Sequence, residues 1–261
     1  MPVISSRSRL ASTRIGLGLA GLGALLLVWS VLTAWLGRAT PIAATLAPGE
    51  AFAQLWHLVA DNELTAHTLT SLKRVLVSLG AALLIGVPVG VAVGSSRLLD
   101  WTTGGAFQFL RMISPLSWMP IAVMAFGIGD APVYFLLTIT AVWPIVLNTA
   151  SGVRALDPKW LLLARSMAAT RGETLRRIVI PGILGHVLTG VRVAIGMAWI
   201  LLIPCEMIGV TSGLGYFILD TRDRLAYSEL MAAIVLIGAL GFLLDGLAQG
   251  LHRWWMPAKT A

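Results

Sequence analysis

Residues 153–185 read VRALDPKWLLLARSMAATRGETLRRIVIPGILG and join two long apolar stretches at 132–151 and 186–209. A helix is predicted to begin at Pro158, because the Asp157 side chain can cap free backbone amides and proline is accepted at the first helical position. The helix is too short to cross a bilayer. The sequence therefore predicts a structured loop between two membrane-crossing helices.

The 153–185 loop is predicted to hold two short helices at an angle. The first carries apolar side chains on one face at helical spacing, namely Trp160, Leu163, Ala164 and Met167. The second begins at Thr170, which forms a capping box with Glu173, and is expected to end before Pro181. The resulting apolar ridge has to be covered, either by a groove in a partner protein or by the membrane surface.

The composition places the chain in a membrane. It has 261 residues, of which 57% are hydrophobic and only 12% are charged, and its mean hydropathy is +0.85. Soluble domains carry about 25% charged residues, so an ordinary soluble enzyme is excluded. The low polarity argues against disorder, and the single cysteine, Cys205, excludes a disulfide scaffold. An all-α integral membrane protein is expected.

Six apolar stretches reach the length of about 20 residues that a helix needs to cross a bilayer. They cover residues 15–36, 66–94, 104–127, 132–151, 186–209 and 229–250. The predicted organisation is an N-terminal cytoplasmic tail (1–14), a first transmembrane helix (15–36), an external segment with an interfacial helix (37–65), a helical core (66–250) that contains the 153–185 loop, and a C-terminal cytoplasmic tail (251–261).

Lys and Arg are distributed unevenly between the loops, which predicts the orientation in the membrane. With the N-terminus inside, the cytoplasmic side holds Arg7, Arg9, Arg14, Arg97, Arg154, Lys159, Arg165, Arg171, Arg176, Arg177, Arg253 and Lys259. The opposite side holds only Arg38, Arg222 and Arg224, together with seven acidic residues. Both termini are therefore expected in the cytoplasm, and the net charge of +7 does not require a nucleic-acid partner.

Two further patterns predict how helices are placed. One helical face of the external segment carries four apolar residues, Phe52, Leu55, Trp56 and Val59. This face fits either a helix in the outer membrane interface or a helix packed on the other spans. In the second span, glycines stand four apart at Gly86, Gly90 and Gly94, which predicts close packing against another helix.

Prolines and polar side chains interrupt several spans, which favours a transport path over a simple anchor. Proline tends to kink a helix and frees backbone carbonyls, and ionisable residues within a membrane usually face a bundle interior or a cavity. The predicted pathway residues are Arg111, Ser114, Pro115, Ser117, Trp118, Thr140, Trp143, Pro144, Asn148, Arg192, Trp199 and Glu206. Alternatively, Arg111 and Arg192 lie near the cytoplasmic helix ends and extend to the headgroups.

The 153–185 loop resembles the EAA loop of binding-protein-dependent ABC transporter permeases. The family pattern is Glu-Ala-Ala, three residues, Gly, nine residues, Ile, one residue and Leu-Pro. The matching positions are Ala164, Ile178, Ile180 (in place of leucine) and Pro181, whereas Leu162, Leu163 and Ala168 replace the glutamate, the first alanine and the glycine. The resemblance implies that the loop couples to an ATPase through Trp160, Leu162, Leu163, Ala164, Arg165, Ser166, Met167, Ala168, Ala169, Thr170, Ile178 and Pro181.

Four other segments resemble the nitrate, bicarbonate, sulfonate and taurine branch of these permeases. They are SLKRVLVSLGAALLIGVPVGVAVGSSRLLD (71–100), SPLSWMPIAVMAFGIGDAP (114–132), VWPIVLNTASGVRALDP (142–158) and EMIGVTSGLGYFILD (206–220). The resemblance implies the transmembrane domain of a type I, MetI-like ABC importer with about six helices. It favours a small anion such as nitrate or bicarbonate as the substrate, with taurine or aliphatic sulfonates as the alternative.

The sequence contains no Gly-x-x-x-x-Gly-Lys-Ser/Thr phosphate loop, so we expect no ATP hydrolysis by this chain. We also expect no metal or cofactor, because the four histidines are scattered. The resemblance implies ATPase subunits that bind ATP and Mg, a second permease subunit (most simply a homodimer), and a periplasmic or lipid-anchored substrate-binding protein, at the bacterial inner membrane. An ion-driven secondary transporter, which often has inverted repeats, and a membrane-embedded enzyme are the alternatives.

Overall fold

The apolar stretches fold into long helices, because a backbone surrounded by hydrocarbon must satisfy its hydrogen bonds internally. The computed structural model describes residues 4–40, 42 and 45–255. In chain order its helices are α1 (Ile4–Leu36), α2 (Pro48–Ala60), α3 (Glu63–Ser95), α4 (Arg97–Met112), a 3-10 turn (Pro115–Trp118), α5 (Met119–Phe126), α6 (Asp130–Arg154), α7 (Pro158–Ser166), α8 (Arg171–Glu206), α9 (Leu214–Asp223) and α10 (Tyr227–Trp255).

Within the described residues, five helices are long and apolar enough to cross a membrane: α1, α3, α6, α8 and α10. The bent pair formed by α4 and the segment Pro115–Phe126 makes up to six. The expectation of an all-α membrane protein with about six helices is therefore confirmed. The helix α1 begins at Ile4, but its candidate membrane span is Gly16–Leu36, so residues 4–14 are helical and their place in a cytoplasmic tail stays a prediction. Residues 1–3 and 256–261 of the predicted tails lie outside the described residues.

The predicted span over 104–127, which prolines were expected to kink, is broken into separate helices. The chain bends by 86° between α4 and the segment Pro115–Phe126. Ile113, at the end of α4, has extended dihedrals, and Pro115 and Pro120 each stand in the first turn of a short helix. Proline has no N–H to donate and suits a first turn. The two prolines therefore start new helices here and do not merely kink a continuous one.

The expectation that the second loop helix ends before Pro181 is wrong. It continues without a break as α8, from Arg171 to Glu206. Five residues, Leu175–Val179, form a π-helical turn directly before the helical segment in which Pro181 takes a first-turn position. A π turn shifts the hydrogen-bond register, so the chain passes Pro181 without needing the N–H that proline lacks.

The glycines of α3 provide close contact with α6, as their spacing predicts. A Cβ atom at Gly90 would lie 2.6 Å from the Cβ of Thr149, and one at Gly94 would lie 2.7 Å from the carbonyl oxygen of Ala150. A Cβ at Gly86 would likewise meet an α6 side chain at 2.8 Å. The two backbones approach within distances that exclude any larger residue, so the interpretation of the glycine stripe as a packing surface is confirmed.

The described chain forms two compact units, Met1–Leu64 with Asp220–Leu236, and Thr65–Leu219 with Ile237–Ala261. In the first unit, the Trp29 indole N–H donates to the carbonyl oxygen of Leu46 at 3.1 Å. The predicted apolar face of α2 is exposed, with Trp56 at 75% of its full accessibility, whereas Ala51 and Leu58 are buried. An exposed apolar face is what placement in the membrane interface requires. In the second unit, α6 and α8 pack extensively against each other.

Candidate functional site

The 153–185 loop folds as its local signals predict. The Asp157 carboxylate accepts a hydrogen bond from the backbone N–H of Lys159 at 2.9 Å, and α7 begins at Pro158. Thr170 and Glu173 form a complete capping box, in which the Glu173 carboxylate accepts from the Thr170 backbone N–H at 2.9 Å. Both helix starts are therefore encoded by contacts within three residues along the chain.

A left-handed residue separates the two helices of the loop. Ala168 has φ of +50°, the conformation that favours glycine. The Ala168 N–H donates to the carbonyl oxygen of Arg165, and the Ala169 N–H donates to that of Ala164, both at 3.0 Å. These two bonds form a Schellman motif, which normally has glycine at the left-handed position. The glycine of the EAA pattern is thus replaced by alanine while the backbone turn is retained.

The outer surface of α7 is an apolar ridge. Trp160, Leu162, Leu163 and Met167 are all at least half exposed, whereas Ala164 is buried at 5%. Among the other residues predicted to couple to an ATPase, Ala169 and Ile178 are half-buried, and the exposed ones are Arg165, Ser166, Ala168, Thr170 and Pro181. The structure therefore offers large apolar side chains beside charged ones on one accessible loop, and the buried alanine supports the turn beneath them.

Five of the predicted pathway residues meet at the bend that follows α4. A cavity of about 70 Å³ is lined by Arg111, Pro115, Trp118, Thr140 and Trp143, together with apolar residues that include Met197 of α8. A second cavity of about 60 Å³ shares two of these residues, Arg111 and Trp143. Ser114 and Ser117 are exposed in the bend itself. The bend places one cation and two indole rings around a small space between α4, α6 and α8.

The Arg111 guanidinium has a neutral partner. Its Nη2 donates to the Gln108 side-chain oxygen at 2.8 Å, and within the described part of the chain no carboxylate lies within ion-pair distance of it. Arg154, which lines the 60 Å³ cavity, is paired with Asp100 at 2.8 Å. Sequence reasoning missed Gln108, although its position three residues before Arg111 on a helix could have indicated the contact.

The other predicted pathway residues lie elsewhere. Trp199 donates to the carbonyl oxygen of Ile237 at 3.2 Å in the contact between α8 and α10. Arg192 pairs with Asp245 of α10. Pro144 and Asn148 lie where α6 meets α8 at Gly190, and Glu206 belongs to a buried ion group at the end of α8. The twelve predicted residues therefore divide among several places and do not form one continuous lining.

The buried ion group is centred on Arg74, which is 0% exposed. Its guanidinium donates to Glu206 at 2.6 Å, to the backbone carbonyl oxygen of Ser212 at 2.8 Å, and to Asp130. The Ser71 hydroxyl also contacts both Glu206 carboxylate oxygens at 2.8 Å. Arg74 thus joins α3 to the start of α6, the end of α8 and the segment that follows α8.

The same group fixes the chain that leaves α8. The backbone N–H groups of Gly213, Leu214 and Gly215 donate to the His67 ring, the Ser71 hydroxyl and the Glu206 carboxylate, respectively. Gly213 has φ of +114°, and a Cβ there would lie 2.5 Å from Arg74 Nη1. Glycine is required at this position for both reasons. Sequence reasoning named Glu206 but missed Arg74. The available signal was an ionisable residue eleven residues into the apolar helix α3.

Comparison with known proteins decides the family. The family model for the inner membrane component of binding-protein-dependent transport systems matches residues 82–257. The chain belongs to this family. As a permease component it is a transport subunit, and ATP hydrolysis belongs to separate subunits of such systems. The secondary transporter and the membrane-embedded enzyme are therefore set aside.

Relatives place the permease in the nitrate, bicarbonate and taurine branch. The bicarbonate transport system permease protein CmpB of Synechococcus elongatus is 40% identical over 74% of this chain and 70% of its own length. The nitrate import permease protein NrtB of Synechocystis is 30% identical over 90% and 87%. The taurine transport system permease protein TauC of Escherichia coli is 32% identical over 76% and 72%. The recognition of this branch from sequence segments is confirmed.

Solved structures show the same fold. A chain of the MetNI methionine ABC transporter in an inward-facing conformation matches the permease with a TM-score of 0.61 at 18% identity, covering 74% of the permease and 95% of the transporter chain. An amino acid ABC transporter solved with histidines matches with a TM-score of 0.58 at 17% identity, covering 77% and 96%. The permease therefore has the type I, MetI-like importer fold.

Proposed function

We propose that this permease moves a small oxyanion, with nitrate or bicarbonate favoured, through the bacterial inner membrane by alternating access. The observation that carries the proposal is the Arg111 cavity. Within the described residues, Arg111 lacks a carboxylate partner, and an unpaired charge in a membrane-spanning region is costly. An anion in the cavity would reduce this cost. Trp143 lines the same cavity and carries an indole N–H donor, whereas the Thr140 hydroxyl beside it donates to the carbonyl oxygen of Leu136.

The size of the cavities favours a compact substrate. A water molecule needs about 10–15 Å³ of such volume, so cavities of about 60 and 70 Å³ suit an anion of four atoms with little water. Taurine carries a two-carbon chain and an ammonium group in addition to its sulfonate, and needs more room. The similarity to a taurine transport permease nevertheless makes taurine or an aliphatic sulfonate the second candidate.

The 153–185 loop is the proposed contact with the ATPase subunits. Its exposed ridge around Trp160 and Met167 has the apolar character of a segment that fits a groove in a partner. The ATPase must bind this ridge with different affinity in its two nucleotide states. A partner with equal affinity for both conformations of the permease would not shift the equilibrium between them. The proposed assembly contains two copies of the permease, ATPase subunits that hold ATP and Mg, and a periplasmic or lipid-anchored binding protein.

Transport by the complete complex tests the substrate. The permease, its ATPase and its binding protein are reconstituted in vesicles, and ATP-dependent uptake of labelled nitrate, bicarbonate and taurine is measured. Arg111→Gln is expected to lower anion uptake at least about tenfold, the factor that corresponds to losing about 1.4 kcal/mol, whereas Arg111→Lys retains part of it. Arg97→Gln, at an exposed position that lines neither cavity, is the matched control. Normal uptake by Arg111→Gln would contradict the assignment of the site.

A charge placed on the ridge tests the coupling. Met167 is 74% exposed, so Met167→Glu adds a carboxylate without disturbing the buried Ala164. We expect transport and ATPase stimulation by the binding protein to fall together, while the amount of permease in the membrane is unchanged. Ala60→Glu, exposed at the end of α2, is the control for an added glutamate. If Met167→Glu transports like the unmodified permease, the ridge is not the contact.

A further inference from the structure

A second polar pocket lies between α8 and α10. It has a volume of about 170 Å³ and is lined by five polar side chains, Thr189, Arg192, Gln249, His252 and Arg253. A water molecule needs about 10–15 Å³ of such volume, so the pocket has room for a small oxyanion with several waters. All five lining residues have polar side chains, and His252 and Arg253 stand in the last turn of α10, in the part of the chain predicted to reach the cytoplasm.

The hydrogen bonds in the pocket leave it with an excess of positive charge. Arg192 makes two bonds to the Asp245 carboxylate, at 2.8 and 3.3 Å, and Gln249 donates to the same carboxylate at 2.7 Å. The Arg253 guanidinium contacts only the neutral Gln249 side-chain oxygen, at 3.3 Å. Two guanidinium groups therefore face one carboxylate. The charge of Arg253 is not balanced by any acidic residue that the structure places in contact with it.

The pocket and the Arg111 cavity border the same helix, α8, on different faces, because five residues correspond to a rotation of about 140°. Met197 of α8 lines the Arg111 cavity, and Arg192 of the same helix lines the second pocket. Five residues along a helix correspond to about 7.5 Å. Because the basic residues place the start of α8 and the end of α10 on the cytoplasmic side, the second pocket is the deeper of the two for a solute that enters from outside.

We propose that this pocket is a second oxyanion subsite, on the cytoplasmic side of the Arg111 cavity; the inference rests on the proposed function. Guanidinium groups bind oxyanions through paired N–H bonds, and Arg253 supplies such donors. The Asp245 carboxylate occupies Arg192 and competes with an incoming anion for it. The competition keeps binding weak, which suits release, because conduction requires sites that an ion can leave.

Inhibition from the cytoplasmic side tests the subsite. The reconstituted complex imports labelled nitrate into vesicles that contain ATP and increasing concentrations of unlabelled nitrate in the lumen, which corresponds to the cytoplasm. Lumenal nitrate is expected to slow uptake by occupying the pocket. Arg253→Gln should raise the half-inhibiting lumenal concentration about tenfold without changing the external KM, and Arg253→Lys should restore most of the inhibition.

A second variant gives an effect of opposite sign. Asp245→Asn removes the competing carboxylate and frees Arg192, so the half-inhibiting lumenal concentration should fall. A purely structural role of the Arg192–Asp245 pair predicts no such gain in affinity. Arg222→Gln, exposed in a pair with Asp223 outside the pocket, is the control and should behave like the unmodified permease.

The outcomes separate the two proposals. If the unmodified complex imports neither nitrate nor bicarbonate, the proposed function fails. If uptake is normal but Arg253→Gln and Asp245→Asn leave lumenal inhibition unchanged, the subsite is overturned and the proposed function stands. Vesicles of phosphatidylcholine and of phosphatidylglycerol are compared in the same assay. An effect of Arg253→Gln that appears only with phosphatidylglycerol, and not with lumenal nitrate, would assign the pocket to a lipid phosphate and overturn the proposal.

Discussion

Replacement of Arg74 by methionine removes the charge at the centre of the buried ion group while keeping an unbranched side chain of similar length. Glu206 would remain 0% exposed, with only the Ser71 hydroxyl and the Gly215 N–H as partners. Removal of one partner from a buried ion pair costs about 3–5 kcal/mol, because the other charge stays buried without compensation. We expect the free energy of unfolding of Arg74→Met to fall by about this amount.

Thermal unfolding in detergent, followed by circular dichroism, measures the loss. A change of 1 kcal/mol shifts the Tm by about 2–4 °C for chains of this size, so Arg74→Met should lower the Tm by about 6–20 °C. The double variant Arg74→Met with Glu206→Gln should regain part of this loss, since no buried charge is then left alone. Arg222→Met, in an exposed pair, should change the Tm little. A Tm of Arg74→Met equal to that of the unmodified protein would refute the reasoning.

Three further predictions follow from single contacts. Ala168→Gly should raise the Tm, because a left-handed alanine costs about 1–2 kcal/mol; a lower Tm would mean that the turn is not strained. Gly90→Ala should lower the unfolding free energy by about 1–3 kcal/mol through overpacking against Thr149. The control Gly80→Ala, with open space around the glycine, should be neutral or stabilising. Equal effects of the two substitutions would contradict the close packing at Gly90. The Cys205 thiol, 0% exposed, should react with maleimide only after denaturation, and rapid labelling of the folded protein would show that it is accessible.

The parts of the fold that the sequence predicts depend on local signals. The cap at Asp157 and the capping box at Thr170 act within three residues, and the glycine stripe of α3 repeats within one helix. Such patterns need no knowledge of the partner surface. The break after α4 was misread for a related reason, because Pro115 and Pro120 fit either a kink within a helix or the starts of two helices. Only tertiary packing decides between a kink in one helix and the starts of two helices.

The parts that the sequence does not predict depend on contacts between distant residues. Arg74 and Glu206 are separated by 132 positions, and Arg192 and Asp245 by 53. Each charge is visible in the sequence as an ionisable group within a span, but nothing local shows which carboxylate it meets. Arg192 was therefore predicted as part of the pathway or as a group that extends to the headgroups, and its pair with Asp245 was missed.

The helix α8 runs without a break from Arg171 to Glu206. Its 36 residues correspond to a length of about 54 Å, from the 153–185 loop at one end to the Glu206 ion group at the other. Met197 and Arg192 belong to the same helix, so a tilt applied at its Arg171 end would displace the Arg111 cavity, the pocket between α8 and α10 and the Glu206 ion group together. The hydrogen-bond register changes within α8 at the π-helical turn Leu175–Val179. A single helix therefore extends from the 153–185 loop to the Glu206 ion group.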